Sequence, residues 1–370
     1  MSTLQDIYNT ILLPGREEEA KVLMLALVSK QHAVMIGPPG TGKSLLIKRL
    51  ARNFQVPYFE YLLTKFTLPE ELFGVPNVKM LREQGEYQLI TRNKLPEARL
   101  AFIDEIFKGS SAILNSLLGI LNEREFFNGQ KIVKCPLWTC MTASNEIPEE
   151  PELQALWDRL SFRIWAKNLQ KDLWDDYLTA YWTMHQPQYQ KIAGQNFDFK
   201  VIEDAHSALW QVDVFTVKAK YLEILAKLED DHNIIVSDRR KGRGLIALAS
   251  NAILNQRQTV IPEDLLTLKY ILPEKEEEVR IVEQVIVDIA GKMIKAKQQL
   301  QELVPQIQGM LNDLKNASSF DEAIQIAERL KPIRAKLLDL ESIIPEATEL
   351  VEIKQLLDEF NNVLVEKVKV

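Results

Sequence analysis

Cysteine is nearly absent from this chain of 370 residues, with only Cys135 and Cys140 present. That excludes a disulfide-stapled secreted scaffold. Their odd spacing on one predicted strand puts them on opposite faces, where they cannot share a metal ion. Both are expected as buried thiols in a reducing compartment. Histidine is scarce too, and His32, His185, His206 and His232 lie scattered without ligand spacing, so none is read as a metal site. No apolar run approaches the ~20 residues of a membrane span. The polar start Ser2-Thr3-Leu4-Gln5-Asp6 lacks the basic and apolar regions of a secretion signal. A cytoplasmic location is therefore expected. Positive charge is also short, with 45 Lys and Arg against 52 Asp and Glu and a net charge of -7. This argues against a dedicated nucleic-acid binder, because neutralising phosphates needs a basic face. The single basic run is Arg239-Arg240-Lys241-Gly242-Arg243.

Apolar residues make up 46% of the chain, enough for well-filled cores, and the length calls for two or three domains. The most informative stretch is Gly37-Pro38-Pro39-Gly40-Thr41-Gly42-Lys43-Ser44. It matches the phosphate-binding pattern G-x-x-x-x-G-K-[ST]. An apolar strand (His32 to Ile36) precedes it and an amphipathic helix (Leu45 to Phe54) follows. Glycines let backbone N–H groups wrap phosphates at a helix N-terminus whose dipole favours anions. Lys43 is placed to reach the β- and γ-phosphates, and the Ser44 hydroxyl to bind Mg²⁺.

Residues 16–31 read as a helix entering the first strand. Tyr58 to Leu62 reads as a strand, and a hairpin is expected around Glu83-Gln84-Gly85-Glu86 with Tyr87-Gln88-Leu89 beyond the turn. Leu100-Ala101-Phe102-Ile103-Asp104-Glu105 is an apolar strand ending in two carboxylates, followed by a helix from Ala112 to Asn122. Asn128-Gly129 signals a second hairpin. A further strand, Leu137 to Met141, leads into Thr142-Ala143-Ser144-Asn145. Strands alternating with helices predict an α/β fold with a mostly parallel sheet, whose ligands sit at the carboxyl ends of the strands. The pattern turns helical from about residue 169. From Val282 to Leu314, apolar residues recur in alternating four- and three-residue steps, a heptad seam. Ser319-Phe320-Asp321-Glu322 reads as a capping box opening a second helix with a seam from Ile326 to Ile344. Pro305 and Pro345 are expected to kink or interrupt these helices. The expected domains are 1–168 (nucleotide-binding core), 169–275 (α-helical lid) and 276–370 (antiparallel helical hairpin).

Asp104 occupies the place of an acidic residue that completes a Mg²⁺ shell. Glu105 follows it and could polarise an attacking water as general base. Asn145, ending the next strand, could hold that water or the γ-phosphate. Phosphoryl transfer also needs positive charge on the γ-phosphate. Arg159 could reach a neighbouring subunit, and Arg239 its own nucleotide. Arg163 and Arg240 are the register alternatives to them.

With these residues in place, the chain resembles AAA+ ATPases of the MoxR family, nearest the RavA branch, over about residues 10–275. The resemblance rests on the phosphate loop, Glu71-Leu72-Phe73-Gly74, Leu95-Pro96-Glu97-Ala98, Leu121-Asn122-Glu123-Arg124, Ala143-Ser144-Asn145-Glu146, Ala155-Leu156-Trp157-Asp158-Arg159 and Val236-Ser237-Asp238-Arg239-Arg240. It implies that Asn145 is sensor 1, Arg159 the arginine finger and Arg239 the sensor 2 arginine. The hairpins near residues 83–90 and at Asn128-Gly129 would be the helix-2 and pre-sensor-1 inserts. It further implies a homo-hexameric ring with ATP and Mg²⁺ at subunit interfaces, remodelling a protein client, usually with a von Willebrand factor A (vWA) domain partner. The β-rich module of RavA has no counterpart in the helical tail. The alternatives are a nucleic-acid motor or loader, disfavoured by the acidic charge, and a nucleotide-gated scaffold with little turnover, disfavoured by Glu105.

Overall fold

Thr3 caps the first helix, α1 (Leu4–Ile11), by accepting the Asp6 N–H at 3.2 Å, while the Asp6 carboxylate accepts the Thr3 N–H at 2.7 Å. This reciprocal pair satisfies two otherwise orphaned backbone donors. Thr3 to Asp6, read above only as part of a polar stretch, is thus a helix start. In this computed structural model the described residues are 3–148, 151–186, 196–317, 319–344 and 347–368.

The helix α2 (Glu17–Ser29) buries ten of its residues and leads into β1 (Ala33–Ile36), all four of whose residues are buried. The chain continues through α3 (Lys43–Arg52), β2 (Tyr58–Leu62), α4 (Pro69–Phe73), β3 (Val75–Pro76), α5 (Val78–Gln84), β4 (Leu89–Ile90), β5 (Leu100–Asp104) and α6 (Ser111–Glu123). Then come β6 (Glu125–Asn128), β7 (Lys131–Lys134), β8 (Thr139–Ser144), α7 (Pro151–Trp157), β9 (Phe162–Trp165), α8 (Trp174–His185) and α9 (Lys200–Ala208). Five strands form one parallel sheet in the order β2-β5-β8-β1-β9. Parallel strands must be covered on both faces, which explains the continuous apolar runs read from the sequence. Register aligns the strand ends: Asp104 pairs with Ala143 and Ile36 with Ser144.

Two expectations are corrected here. The segment around Glu83 to Glu86 is not a hairpin turn, because Val78 to Gln84 is helical and Gly85 (φ 67°) is its left-handed C-cap. The strands flanking this helix, β3 and β4, pair antiparallel. Glycine just past a helix and glycine in a hairpin turn use the same conformational freedom, so the residue alone does not separate them. The two cysteines do not share a strand either. Cys135 follows β7, while Cys140 lies in β8, and both are free and buried. Burial pushes their thiols up, to about 11 for Cys135 and about 12 for Cys140. The Asn128-Gly129 hairpin is present as β6–β7, with Asn128 paired to Lys131.

The chain forms two compact units. The first holds Met1–Asp213, Ile234–Thr259 and Thr267–Arg280, and so includes the sheet. The second holds Val214–Asn233, Val260–Leu266 and Ile281–Val370. Thus α10 (Lys218–His232) belongs to the second unit, and α11 (Asp238–Leu254) to the first. The tail is three helices rather than two: α12 (Glu276–Asn316), α13 (Phe320–Ile343) and α14 (Thr348–Val368). The seam from Val282 to Leu314 is buried. Gln301 and Lys315 reach Glu349 and Glu359 at 3.0 and 2.8 Å, so α14 runs parallel to α12. Arg334 and Glu341 of α13 meet Asn361 and Lys354, both at 2.6 Å, in the antiparallel sense. The Ser319 side chain accepts the Glu322 N–H at 3.3 Å, capping α13. Pro305 lies inside α12 without interrupting it, and Pro332 lies inside α13. Pro345 falls outside the described residues. Among those, no helix is long and apolar enough to cross a membrane.

Candidate nucleotide site

The carboxyl ends of β1, β5 and β8 bring the predicted phosphate-loop and carboxylate residues together. The loop leaves β1 with the Gly37 N–H donating to the Ser144 carbonyl at 3.1 Å, which ties it to the neighbouring strand. Thr41 Oγ1 donates to the Pro38 carbonyl at 3.0 Å and braces the turn from within. Pro38, Pro39 and Gly40 are exposed at its crest. Gly42 is the left-handed N-cap of α3, so Lys43 and Ser44 begin the helix.

Lys43 is buried, and its Nζ donates to the Gly37 and Pro38 carbonyls at 2.6 and 3.0 Å and to Asn145 Oδ1 at 3.2 Å. Burial lowers its pKa, opposed by the charges of Asp104 and Glu105. Ser44 Oγ donates to Asp104 Oδ2 at 3.0 Å. The other carboxylate oxygen of Asp104 accepts the Glu105 N–H at 3.0 Å. Glu105 is left-handed (φ 54°), a strained setting for a side chain of this kind, and such strain gathers at functional sites. Asn145 Nδ2 donates to Glu105 Oε1, and Lys108 pairs with Glu105 Oε2 at 3.2 Å. Asn145 therefore bridges the lysine and the carboxylate. A cavity of about 550 Å³ opens beside the loop, lined by Gly37, Pro38, Asn145, Trp165, Lys167 and Glu276 among others. The oxygens of Ser44 and Asp104 are the hard donors that Mg²⁺ prefers, so this pair fits that ion.

The two predicted arginines form a separate corner around Asp158. Arg239, at the start of α11, pairs with Asp158 Oδ2, and Ser237 Oγ donates to Asp158 Oδ1 at 3.1 Å. Burial raises the Asp158 carboxyl, but the hydrogen bond and charge of Arg239 outweigh it and hold the pKa below its usual value. Arg159 is half-buried. Its Nη1 donates to the Ala155 carbonyl at 2.6 Å, and its Nε has no hydrogen-bond partner among the described residues. The register alternatives are buried. Arg163 donates to the Pro273 and Trp157 carbonyls at 3.0 and 2.9 Å, with its guanidinium 4.2 Å from the Trp157 ring centroid. Arg240 donates to the Leu272 carbonyl at 2.9 Å and pairs with Glu274. Sequence reading passed over Asp158 and Lys108. Asp158 sat inside a quoted motif, but only its contact with a helix 81 positions later reveals its partner.

Strand order, phosphate loop and following acidic strand end define a P-loop nucleoside triphosphatase. Residues 2–203 match the family described as the MoxR domain in the MoxR-vWA-beta-propeller ternary systems, and residues 214–286 match an AAA lid domain. The chain belongs to this MoxR family and is an AAA+ ATPase. An uncharacterized protein of Methanocaldococcus jannaschii is 33% identical over 357 residues, covering 94% of this chain and 92% of its own. The chaperone MoxR1 of Mycobacterium tuberculosis is 24% identical over 157 residues, 41% of each chain. A crystal structure of a Cytophaga hutchinsonii protein assigned as an ATPase aligns with a TM-score of 0.61 at 17% identity, over 76% of this chain and 92% of that one. That likeness speaks for the fold alone.

Proposed function

We propose that this ATPase is the motor of a hexameric ring that remodels or assembles a protein client, with a vWA-domain protein as partner. The observation that carries the reading is the convergence of Lys43, Ser44, Asp104, Glu105 and Asn145 on one strand-end cleft, with contacts of 3.0 Å for Ser44–Asp104 and 3.2 Å for Lys43–Asn145. Backbone N–H groups from Gly40 to Ser44 in the loop Gly37–Ser44 would receive ATP phosphates, and Lys43 would turn from its own loop carbonyls to the β- and γ-phosphates. Ser44 and Asp104 would hold Mg²⁺, which when bound neutralises charge on the phosphate oxygens. Glu105 would take the proton of the attacking water, kept in place by Asn145 Nδ2.

Arg159 would stabilise the γ-phosphate of a neighbouring subunit, and its unpartnered Nε supports a role beyond its own helix. Arg239 would leave Asp158 to contact its own nucleotide as the lid closes. The buried carbonyl partners of Arg163 and Arg240 favour Arg159 and Arg239 over them. The expected organisation is a core (1–168), a lid (169–275) and a tail (276–370), in the cytoplasm and near the RavA branch but without its β-rich module. The ternary systems named for the matched family support the vWA partner and add a β-propeller protein as a candidate third component. The test is Glu105→Gln, which should keep ATP bound yet stop hydrolysis; unchanged turnover would remove Glu105 from the mechanism.

A further inference from the structure

Asn128 was read as half of a turn dipeptide, yet it is buried and its side chain pairs with a residue outside its own hairpin. Its Oδ1 accepts the Leu89 N–H at 2.6 Å and its Nδ2 donates to the Leu89 carbonyl at 3.0 Å. A carboxamide carries both a donor and an acceptor, so it can pair with one residue's backbone as a neighbouring strand would. Leu89 belongs to β4, in the insert between β2 and β5, whereas Asn128 belongs to the β6–β7 hairpin between β5 and β8. Next to it, Gly129 (φ 66°) has no side chain, and a Cβ there would stand 1.8 Å from the Tyr87 carbonyl. A third contact is apolar: the Phe73 ring of α4 stacks on Phe126 of β6 with centroids 5.6 Å apart.

We propose that Asn128 is a clamp that makes the two inserts one rigid body. This rests on the motor reading above, because it concerns how movement at the nucleotide site reaches the surface. Glu105 leads through residues 106–110 into α6, and α6 leads directly into β6. A shift of Glu105 would therefore reach the β6–β7 hairpin first. The Asn128–Leu89 pair passes it on to the β3–α5–β4 insert, so both present one moving surface to a client. Only a packed two-state element transmits such a shift, and a broken clamp leaves the inserts to move separately.

Spin labels at Leu81→Cys on α5 and Ile132→Cys on β7 test this by distance measurement, since both positions are exposed and the native thiols are buried. Labelled chains are diluted with unlabelled protein so that only pairs within one subunit are read. Samples are taken without nucleotide and with a slowly hydrolysed ATP analogue, whose binding is measured separately. The expected result is a single narrow distance, unchanged by nucleotide. Asn128→Ala should broaden it at least twofold, and Asn128→Asp, which keeps the acceptor and loses the donor, should broaden it less. Thermal unfolding of each variant shows that it is folded. Two distances in the parent protein, or a folded Asn128→Ala that stays narrow, overturn the clamp. If no analogue binds, the motor reading fails, while the clamp still stands or falls on Asn128→Ala without nucleotide.

Discussion

The phosphate-loop cleft and the Asp158 corner are organised in opposite ways. In the cleft, a lysine, a serine, two carboxylates and an amide face one another beside a cavity. In the corner, five arginines are each held by carbonyls or acids of the same chain, and two of them are buried. Desolvated guanidinium groups are tolerated only with such partners. Burial draws Arg163 down to about 9 and Arg243, which donates to the Asp158 carbonyl at 2.9 Å, to about 10. The cleft has donors ready for a ligand within one chain, whereas the corner must give up a contact or meet a second chain before its charge acts on a phosphate.

The largest effect should separate these two regions. Arg159→Ala is expected to lower turnover by about 10³-fold or more, the range for an arginine completing a phosphoryl-transfer site. Its affinity for nucleotide should stay within a few-fold of the parent by equilibrium titration. Equal turnover would return Arg159 to a purely local role. Glu105→Gln should cost about 10²- to 10⁴-fold in turnover, the scale of a lost general base. Here nucleotide affinity is retained, whereas Lys43→Ala should lose both.

The second unit gives a contrast without charge. Leu300 is fully buried in the α12 seam, and Leu300→Ala should destabilise by about 2–5 kcal/mol. Denaturant melts of the whole chain should show this loss with nucleotide affinity unchanged.

A smaller effect concerns His32. Its Nδ1 accepts the Cys140 N–H at 2.9 Å, its Nε2 lies 2.8 Å from the Leu121 carbonyl, and burial pulls its pKa well below the usual value. The folded state thus binds fewer protons than the unfolded one. Stability present above pH ~6.5 should fall below it by about 1.4 kcal/mol per pH unit until the folded pKa is reached. His32→Gln should flatten that slope in melts from pH 7 to 5; an unchanged slope would place its source elsewhere.

What the sequence made legible follows the same division. The phosphate loop, the Asp104-Glu105 strand end and the α12 seam are contiguous patterns, in which spacing along the chain fixes spacing in the fold. Asp158 and Arg239, 81 positions apart, and Asn128 and Leu89, 39 apart, depend on tertiary placement that no local period encodes. Strands of two residues, such as β3 and β4, are too short to show alternation, so the helix between them was read as a turn. The third tail helix was missed for a different reason: its own seam, Leu350, Ile353, Leu357, Phe360 and Leu364, begins beyond Pro345, where the second seam was read to end.

The central claim is that each catalytic site draws Glu105 from one chain and Arg159 from the next. Mixing subunits tests it most directly. Glu105→Gln and Arg159→Ala proteins, each inactive alone, are combined in equal amounts, allowed to exchange, and assayed for ATP hydrolysis. A shared site predicts that activity returns, because some interfaces then pair an intact Glu105 with an intact Arg159. A mixture that exchanges subunits, as followed by mass, yet stays inactive would contradict the account.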